Sequence, residues 1–213
     1  MIAGPVEIHA LALGPLETNC YILQAGGECW VVDPGWPEPL MEHLAGHRLA
    51  PSRILLTHGH GDHIIACADV KREYPQSRLC CPAADAAMIG DPVLNVTAAF
   101  GMPMAAPPPD ELLAPGQTLE LGPTQWQVLD TSGHTKGGVS YYCPEAGVVL
   151  TGDALFAGSI GRTDIPGASP SRLLRNIRTH LLTLPPRTIV LAGHGQETTI
   201  ENERTYNTFF AGK

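Results

Sequence analysis

Positive charge is scarce in this chain. Lysine and arginine together number 13 against 21 aspartate and glutamate residues, which gives a formal net charge of −8 at pH 7. The sequence contains no run of basic residues. Because proteins hold nucleic acids through Lys and Arg side chains that neutralise phosphates, the composition argues against a nucleic-acid partner and favours a small-molecule substrate.

Long apolar runs are absent as well. No stretch approaches the ~20 apolar residues that cross a bilayer, and residues 1–20 lack the basic start and continuous apolar core of an export signal. The six cysteines show no zinc-ribbon spacing. We therefore expect a cytoplasmic protein without membrane attachment, whose cysteines stay reduced and buried.

Proline and glycine are abundant but spread through many turns. With 44% hydrophobic residues, the chain can bury a large core, and we expect a single domain over residues 1–213. The densest loop, residues 101–115, is interpreted as a stiff surface crossing between two halves. Met102 and Met104 near its start are interpreted as packing residues, with the mouth of a pocket as the alternative.

The order of hydrophobic patterns predicts a layered α/β architecture. Period-two alternation predicts strands, and spacing of three to four residues predicts helices. The predicted strands occupy residues 8–13, 19–23, 30–35 and 118–150, and the predicted helices residues 38–49, 64–74, 83–89 and 173–182. A capping box, Thr198-x-x-Glu201, predicts the start of a closing helix.

The densest chemical signal is the run His58-Gly59-His60-Gly61-Asp62-His63. An apolar run of strand length, residues 53–57, leads straight into it. An extended backbone directs side chains two apart to the same side, and imidazole and carboxylate are ligands of divalent metals. A solvated loop is the alternative, but the preceding strand favours a metal site at a strand-to-helix corner.

Three further residues share this setting. His134, Asp153 and His194 each follow a strand-like run, and each is flanked by glycine. A single loop histidine is more often a surface or capping residue, so the shared context carries the prediction. Ligands of a catalytic site are gathered by folding, and we expect these three to join the cluster at 58–63.

These segments resemble the ordered motifs of the metallo-β-lactamase superfamily. The matching strings are His58-x-His60-x-Asp62-His63, Gly133-His134-Thr135, Thr151-Gly152-Asp153 and Gly193-His194-Gly195. Longer strings at 57–63, 152–156 and 161–164 resemble the glyoxalase II-like (hydroxyacylglutathione hydrolase-like) enzymes, in a short form without their C-terminal helical domain. The resemblance implies an α/β fold, the αβ/βα four-layer sandwich, with metals at the sheet edge.

The resemblance also implies a ligand set for two divalent metal ions per chain, with zinc expected first and iron or manganese as alternatives. One ion would take His58, His60 and His134; the other would take Asp62, His63 and His194, with Asp153 bridging. Two such cations lower the pKa of a water from about 15.7 to roughly 7. The resulting hydroxide would attack a small thioester such as S-lactoylglutathione, which makes Asp62 and Asp153 the catalytic candidates. With one metal lost, Asp62 could instead orient the attacking water.

Residues around the ligands leave alternatives open. Asp33 either holds a ligand histidine by its free ring nitrogen or is a turn aspartate. Arg162 either clamps a substrate carboxylate or forms a structural pair with Asp164. Lys136 either is solvated or faces an acidic substrate.

Two other functions are compatible with the sequence. The ligands also resemble those of the persulfide dioxygenases, which bind a single iron through residues matching His58, His134 and Asp153. A metal-binding protein without turnover is the last alternative, although no ligand position is lost.

Overall fold

Alternating buried side chains form the first of two sheets. The computed structural model describes residues 1–211. The seven strands lie side by side in chain order: β1 Ile2–Ala3, β2 Val6–Leu13, β3 Thr18–Ala25, β4 Glu28–Val32, β5 Arg53–Leu55, β6 Arg78–Pro82 and β7 Glu111–Leu113. Strands β1 to β4 pair antiparallel, and β4 to β7 pair parallel.

The second half of the chain builds the other sheet. Its strands and those of a small separate ribbon are β8 Thr118–Leu121, β9 Thr124–Asp130, β10 Val139–Cys143, β11 Val148–Gly152, β12 Leu155–Phe156, β13 Ser159–Ile160, β14 Ile189–Ala192 and β15 Thr198–Thr199. The sheet has the order β15-β14-β11-β10-β9-β8, and β12 pairs with β13 in the ribbon. Only β11 and β14 are parallel neighbours among these described strands.

Helices cover the outer face of each sheet. They are α1 Pro37–His47, α2 Cys67–Glu73, α3 Ala86–Ile89, α4 Pro170–Asn176 and α5 Ile200–Tyr206. The first three pack on the first sheet and the last two on the second. A π-helical turn, Ile177–Leu181, extends α4, so the predicted helical face over 173–182 is present.

Strand periodicity explains the layers. In β4, Trp30 and Val32 enter the core between the sheets, whereas Val31 faces the helices. The fully buried rings of Trp30 and Trp126, one from each sheet, lie 6.3 Å apart in that core. Helix, sheet, sheet and helix layers result, which confirms the predicted αβ/βα sandwich.

Three predicted elements need correction. The helix expected over 64–74 begins at Cys67, because residues 61–63 form a 3₁₀ turn and the amide of Ala66 bonds to the carbonyl of Pro34 at 2.9 Å. The loop over 101–115 contains strand β7, which buries Leu113 between the sheets. The last helix is capped by Thr199 rather than Thr198, and the Thr199 hydroxyl accepts a bond from the amide of Asn202 at 3.2 Å.

All six cysteines are buried, as expected from the composition. Across residues 1–211, no helix has the length and apolar character needed to cross a membrane.

Candidate metal centre

Four loops converge at one edge of the two sheets. They follow the C-terminal ends of β5, β9, β11 and β14 and carry, in that order, the 58–63 cluster, His134, Asp153 and His194. Parallel pairing of β11 with β14 places the last two loops side by side. An isolated antiparallel β-bridge between Thr18, in the first sheet, and His194 links the two sheets at this edge. The structure therefore brings all seven predicted residues together.

Six of the seven residues form two groups, and Asp153 forms a third with His58 and His63. His58, His60 and His134 each offer a nitrogen within 4.8 Å of the others, and Asp62, His63 and His194 do the same with a carboxylate oxygen and two nitrogens. In the first group, Nδ1 of His60 lies 2.9 Å from Nε2 of His134. These are the two sets that the family resemblance implies.

Asp153 lies between the two groups. Its Oδ2 is 3.5 Å from Nε2 of His134 and 3.6 Å from Nε2 of His194. Its Oδ1 is 3.4 Å from Nε2 of His63. One carboxylate thus faces members of both groups, as a bridging ligand must.

Unpaired buried atoms test whether metal ions fit this cluster. Within residues 1–211, Nε2 of His58, Nε2 of His63 and Oδ1 of Asp153 are buried without a hydrogen-bond partner. A buried polar atom left unpaired costs about 1–3 kcal/mol, so native proteins rarely keep several at one place. Imidazole nitrogens and carboxylate oxygens form a donor set suited to divalent metals. The cluster fits such ions.

Hydrogen bonds on the far side of the rings fix their orientation. Nδ1 of His63 donates to Oδ2 of Asp33 at 3.0 Å, and the amide and hydroxyl of Thr57 hold the Asp33 carboxylate at 2.8 and 2.7 Å. Nδ1 of His194 donates to the carbonyl of Leu16 at 3.0 Å. Each bond leaves Nε2 directed into the cluster. Asp33 therefore holds His63, a predicted ligand, which is one of its two predicted alternatives.

Asp85 is a positioning residue that sequence analysis missed. Its buried carboxylate accepts bonds from the amide of Gly59 at 3.1 Å, the hydroxyl of Thr135 at 2.6 Å and the amide of Gly137 at 2.7 Å. It thereby joins the loop of the first motif to the loop of His134. Burial raises the pKa of Asp85 despite these bonds. The sequence offers little sign of this role, since a lone acid within an alanine-rich stretch resembles any helix-surface residue.

The two groups differ in electrostatics. Burial and the adjacent His134 and His63 rings lower the pKa of His60 to about 4. Burial and the nearby His63 and His60 rings also lower the pKa of His58. Burial alone would lower the pKa of His63, but the carboxylates of Asp62 and Asp153 hold it well above the usual value. His58 and His60 are thus set to be neutral imidazoles, whereas His63 in the second group is charge-paired.

The second group also lowers the pKa of its own carboxylate, Asp62. Burial would raise the pKa of Asp62, yet the adjacent His63 and His194 rings and the Thr18 hydroxyl lower it overall. Opposite charge within a few ångströms favours the ionised form of a carboxyl group. Asp62 is therefore ready to act as an anionic ligand.

The two predicted substrate contacts lie at the His134 end of the cluster. The guanidinium of Arg162 bonds to both carboxylate oxygens of Asp164 at 2.8 and 2.9 Å, and both side chains are exposed. The structural pair is thus the alternative that the geometry shows. The carbonyl of Arg162 accepts a bond from Nδ1 of His134 at 2.9 Å. Lys136, next to that loop, is exposed.

A two-sheet sandwich with histidines and aspartates clustered at the sheet edge defines a metalloprotein suited to divalent ions. The chain belongs to the metallo-β-lactamase superfamily, whose family model matches residues 13–194.

Similar proteins carry related names. The chain is 38% identical over 208 residues to the probable metallo-hydrolase YqgX of Bacillus subtilis, covering 95% of this chain and 96% of that protein. It is 34% identical over 212 residues to the hydroxyacylglutathione hydrolase GloC of Haemophilus influenzae, covering 98% and 100%.

Solved structures are similar to nearly the whole chain. BLEG-1, a B3 metallo-β-lactamase, is similar with a TM-score of 0.92 and 38% identity, over 97% of this chain and 100% of that one. TTHA1623, solved in a di-iron-bound form, is similar with a TM-score of 0.83 and 36% identity, over 95% and 100%.

Proposed function

We propose that this protein is a metal-dependent hydrolase of small thioesters of the S-lactoylglutathione type, working with two divalent ions per chain. The observation that carries the proposal is the position of Asp153 between two complete donor groups that contain unpaired buried atoms. Similarity to hydroxyacylglutathione hydrolase GloC supports the thioester class. Similarity to a protein that binds two irons supports a pair of ions.

Bound divalent ions would supply a water acidified toward neutral pKa and would polarise the carbonyl of the substrate. The chain's own residues decide where this chemistry takes place. The side chains of Asp62 and His194 are 22% and 29% exposed, whereas that of His63 is fully buried. Substrate therefore reaches the cluster over Asp62 and His194.

Asp62 is held at this open face by two contacts. Its Oδ2 accepts a bond from the hydroxyl of Thr18 at 3.1 Å and lies 3.2 Å from Nε2 of His194. A carboxylate that is fixed in this way and kept ionised by its neighbours can coordinate a cation or orient the attacking water by a hydrogen bond. No serine or cysteine nucleophile is required.

A second candidate is β-lactam hydrolysis, favoured by the similarity to BLEG-1. In this chain, the reaction would use the same seven residues on a cyclic amide. The substrate therefore has to be determined by direct comparison.

The test is metal quantification on protein purified without chelator, followed by anaerobic assays with S-lactoylglutathione, a simple acetyl thioester and a penicillin. We expect two ions per chain, zinc before iron or manganese, and cleavage of a thioester that disappears on metal removal. Asp153→Ala should abolish this activity, whereas Asp69→Ala, on the outer helix α2, should retain it.

Other results would overturn the proposal. One iron per chain, with oxygen uptake on glutathione persulfide in a parallel aerobic assay, would indicate the dioxygenase. Faster cleavage of the penicillin would indicate a β-lactamase. Bound metal without turnover of any substrate would indicate a binding protein, and full turnover after rigorous metal removal would exclude the metal mechanism.

A further inference from the structure

An apolar cavity of about 240 Å³ opens next to the metal centre. Thr18, Gly61 and Asp62 line it and also belong to, or adjoin, the second donor group. The remaining wall is largely hydrocarbon and includes Leu13, Leu16, Trp36, Ile65, Phe100 and Met102. The cavity is thus continuous with the site at the face from which substrate arrives.

Three segments supply this wall besides the ligand loop, which contributes Ile65. Leu13 ends β2 and Leu16 follows it in the connection to β3, Trp36 precedes α1, and Phe100 and Met102 lie in the segment that follows α3. The amide of Gly61 bonds to the carbonyl of Asn95 at 2.9 Å. This bond ties the third segment to the loop that carries Asp62, so the cavity and the ligands are positioned together.

The mouth of the cavity exposes hydrocarbon to water. Phe100 is 62% exposed, Leu16 52% and Met102 45%. Single exposed apolar residues are ordinary, but several at the rim of an apolar cavity indicate a binding surface. Met102 therefore lines a pocket mouth, the alternative left open by the sequence, whereas Met104 does not line the cavity.

The opposite end of the cluster is polar. Lys136, Arg162 and Asp164 are exposed beside His134. An elongated substrate whose carbonyl lies at the cluster would extend one arm over these polar groups and the other into the apolar cavity. A thiol bearing carboxylates suits the first arm, and a hydrocarbon suits the second.

We propose that the cavity binds the acyl group of the thioester and that this group is a hydrocarbon chain or ring, more apolar than lactoyl. The inference rests on the proposed hydrolase function and adds the class of acyl group. Each methylene transferred from water into the cavity contributes about 0.8 kcal/mol, which corresponds to roughly a fourfold increase in binding when burial is complete.

The first test measures kcat/KM of the zinc-loaded protein for glutathione thioesters with lactoyl, acetyl, butanoyl and hexanoyl groups. We expect an increase of roughly two- to fourfold per methylene. Phe100→Ala should reduce the hexanoyl-to-acetyl ratio. Tyr206→Ala removes another exposed aromatic side chain, 75% exposed and outside the cavity wall, and should keep the wild-type ratio.

The second test needs no turnover. Trp30 and Trp126 are fully buried between the sheets, whereas Trp36 lines the cavity. S-hexylglutathione should therefore change the tryptophan fluorescence of metal-free protein, S-methylglutathione should not, and Trp36→Phe should remove the response.

The outcomes separate the two proposals. Absence of thioester cleavage with a response to S-hexylglutathione would reject the hydrolase function and keep an apolar ligand site. Cleavage that does not depend on acyl length, without a fluorescence response, would reject the acyl cavity and keep the hydrolase. A dimer that Phe100→Ala dissociates, again without dependence on acyl length, would make the cavity a contact between copies and would also overturn the inference.

Discussion

Oδ2 of Asp33 accepts a hydrogen bond from Nδ1 of His63 at 3.0 Å, and both side chains are buried. The bond fixes the histidine tautomer and directs Nε2 toward Asp62 and Asp153. Asp33 itself has a φ of 52°, in the left-handed region that asparagine tolerates. Asparagine at this position therefore tests the carboxylate without disturbing the backbone.

Asp33→Asn should weaken metal binding by roughly 10- to 100-fold, as loss of such supporting bonds typically does. Competition with a chelator measures the affinity. Asp69→Asn, on helix α2, serves as the matched control. Equal affinities for wild type and Asp33→Asn would show that this bond does not position the ligand.

Asp85→Ala should lower the free energy of unfolding of the metal-free protein by roughly 2–4 kcal/mol. The change leaves the buried amide of Gly59, the buried hydroxyl of Thr135 and the half-buried amide of Gly137 without their acceptor. Each unpaired buried donor costs about 1–3 kcal/mol, and removal of a carboxylate that burial destabilises offsets part of this sum. Urea unfolding gives the value. Glu120→Ala, on an exposed position of β8, should change it by less than about 0.5 kcal/mol.

Gly193→Ala should impair metal binding. A Cβ at this position would collide with Oδ1 of Asp153 and with the ring of His63, so the Asp153 carboxylate must move. Gly46→Ala, in helix α1, meets no atom within 4 Å and should add up to about 1 kcal/mol of stability through helix propensity. Metal content by mass spectrometry compares the variants, and two full sites in Gly193→Ala would contradict the expected collision.

Metal stoichiometry should fall from two to one as the pH is lowered from about 8 to about 5, the range in which histidine titrates. The pKa values of His63 and His194 are raised, because the neighbouring carboxylates outweigh burial. Protons therefore compete with the ion at the second group, and more strongly as the pH falls.

The first group should keep its ion over the same pH range. The pKa of His60 is about 4 and that of His58 is lowered, so both rings stay neutral over this range and keep their ion. Cobalt-substituted protein, followed by its visible spectrum, reports the two sites separately. Loss of both ions in a single step would disprove the difference between the groups.

The predicted ligands could be found from the sequence because each of them lies in a short local motif. The ligands of the first motif lie within six residues, and each of the other three follows a strand and adjoins glycine, so short strings suffice. Asp85 is different, since it bonds across 26 residues to Gly59 and across 50 to Thr135. Only folding brings those groups together.

Tertiary contacts also account for the elements that were mispredicted. The 3₁₀ turn over 61–63 is held by a bond from Gly61 to Asn95, which no local pattern reports. Strand β7 has three residues after a proline-rich stretch, too short for alternation to appear. The cavity wall comes from three distant segments. The single domain, the small-molecule partner and the cytoplasmic location stay predictions from composition.

The link between the first hairpin and the last ligand loop has a consequence for biosynthesis. The amide of Asn19 bonds to the carbonyl of Gly193 at 2.7 Å, and its side chain bonds to those of Ala192 and Gly195 at 3.0 and 2.9 Å. A chain emerging from the ribosome can thus pair its early strands long before His194 appears. The proposed ion capture by the second group must then wait until His194 has been translated and its loop has docked on the first hairpin.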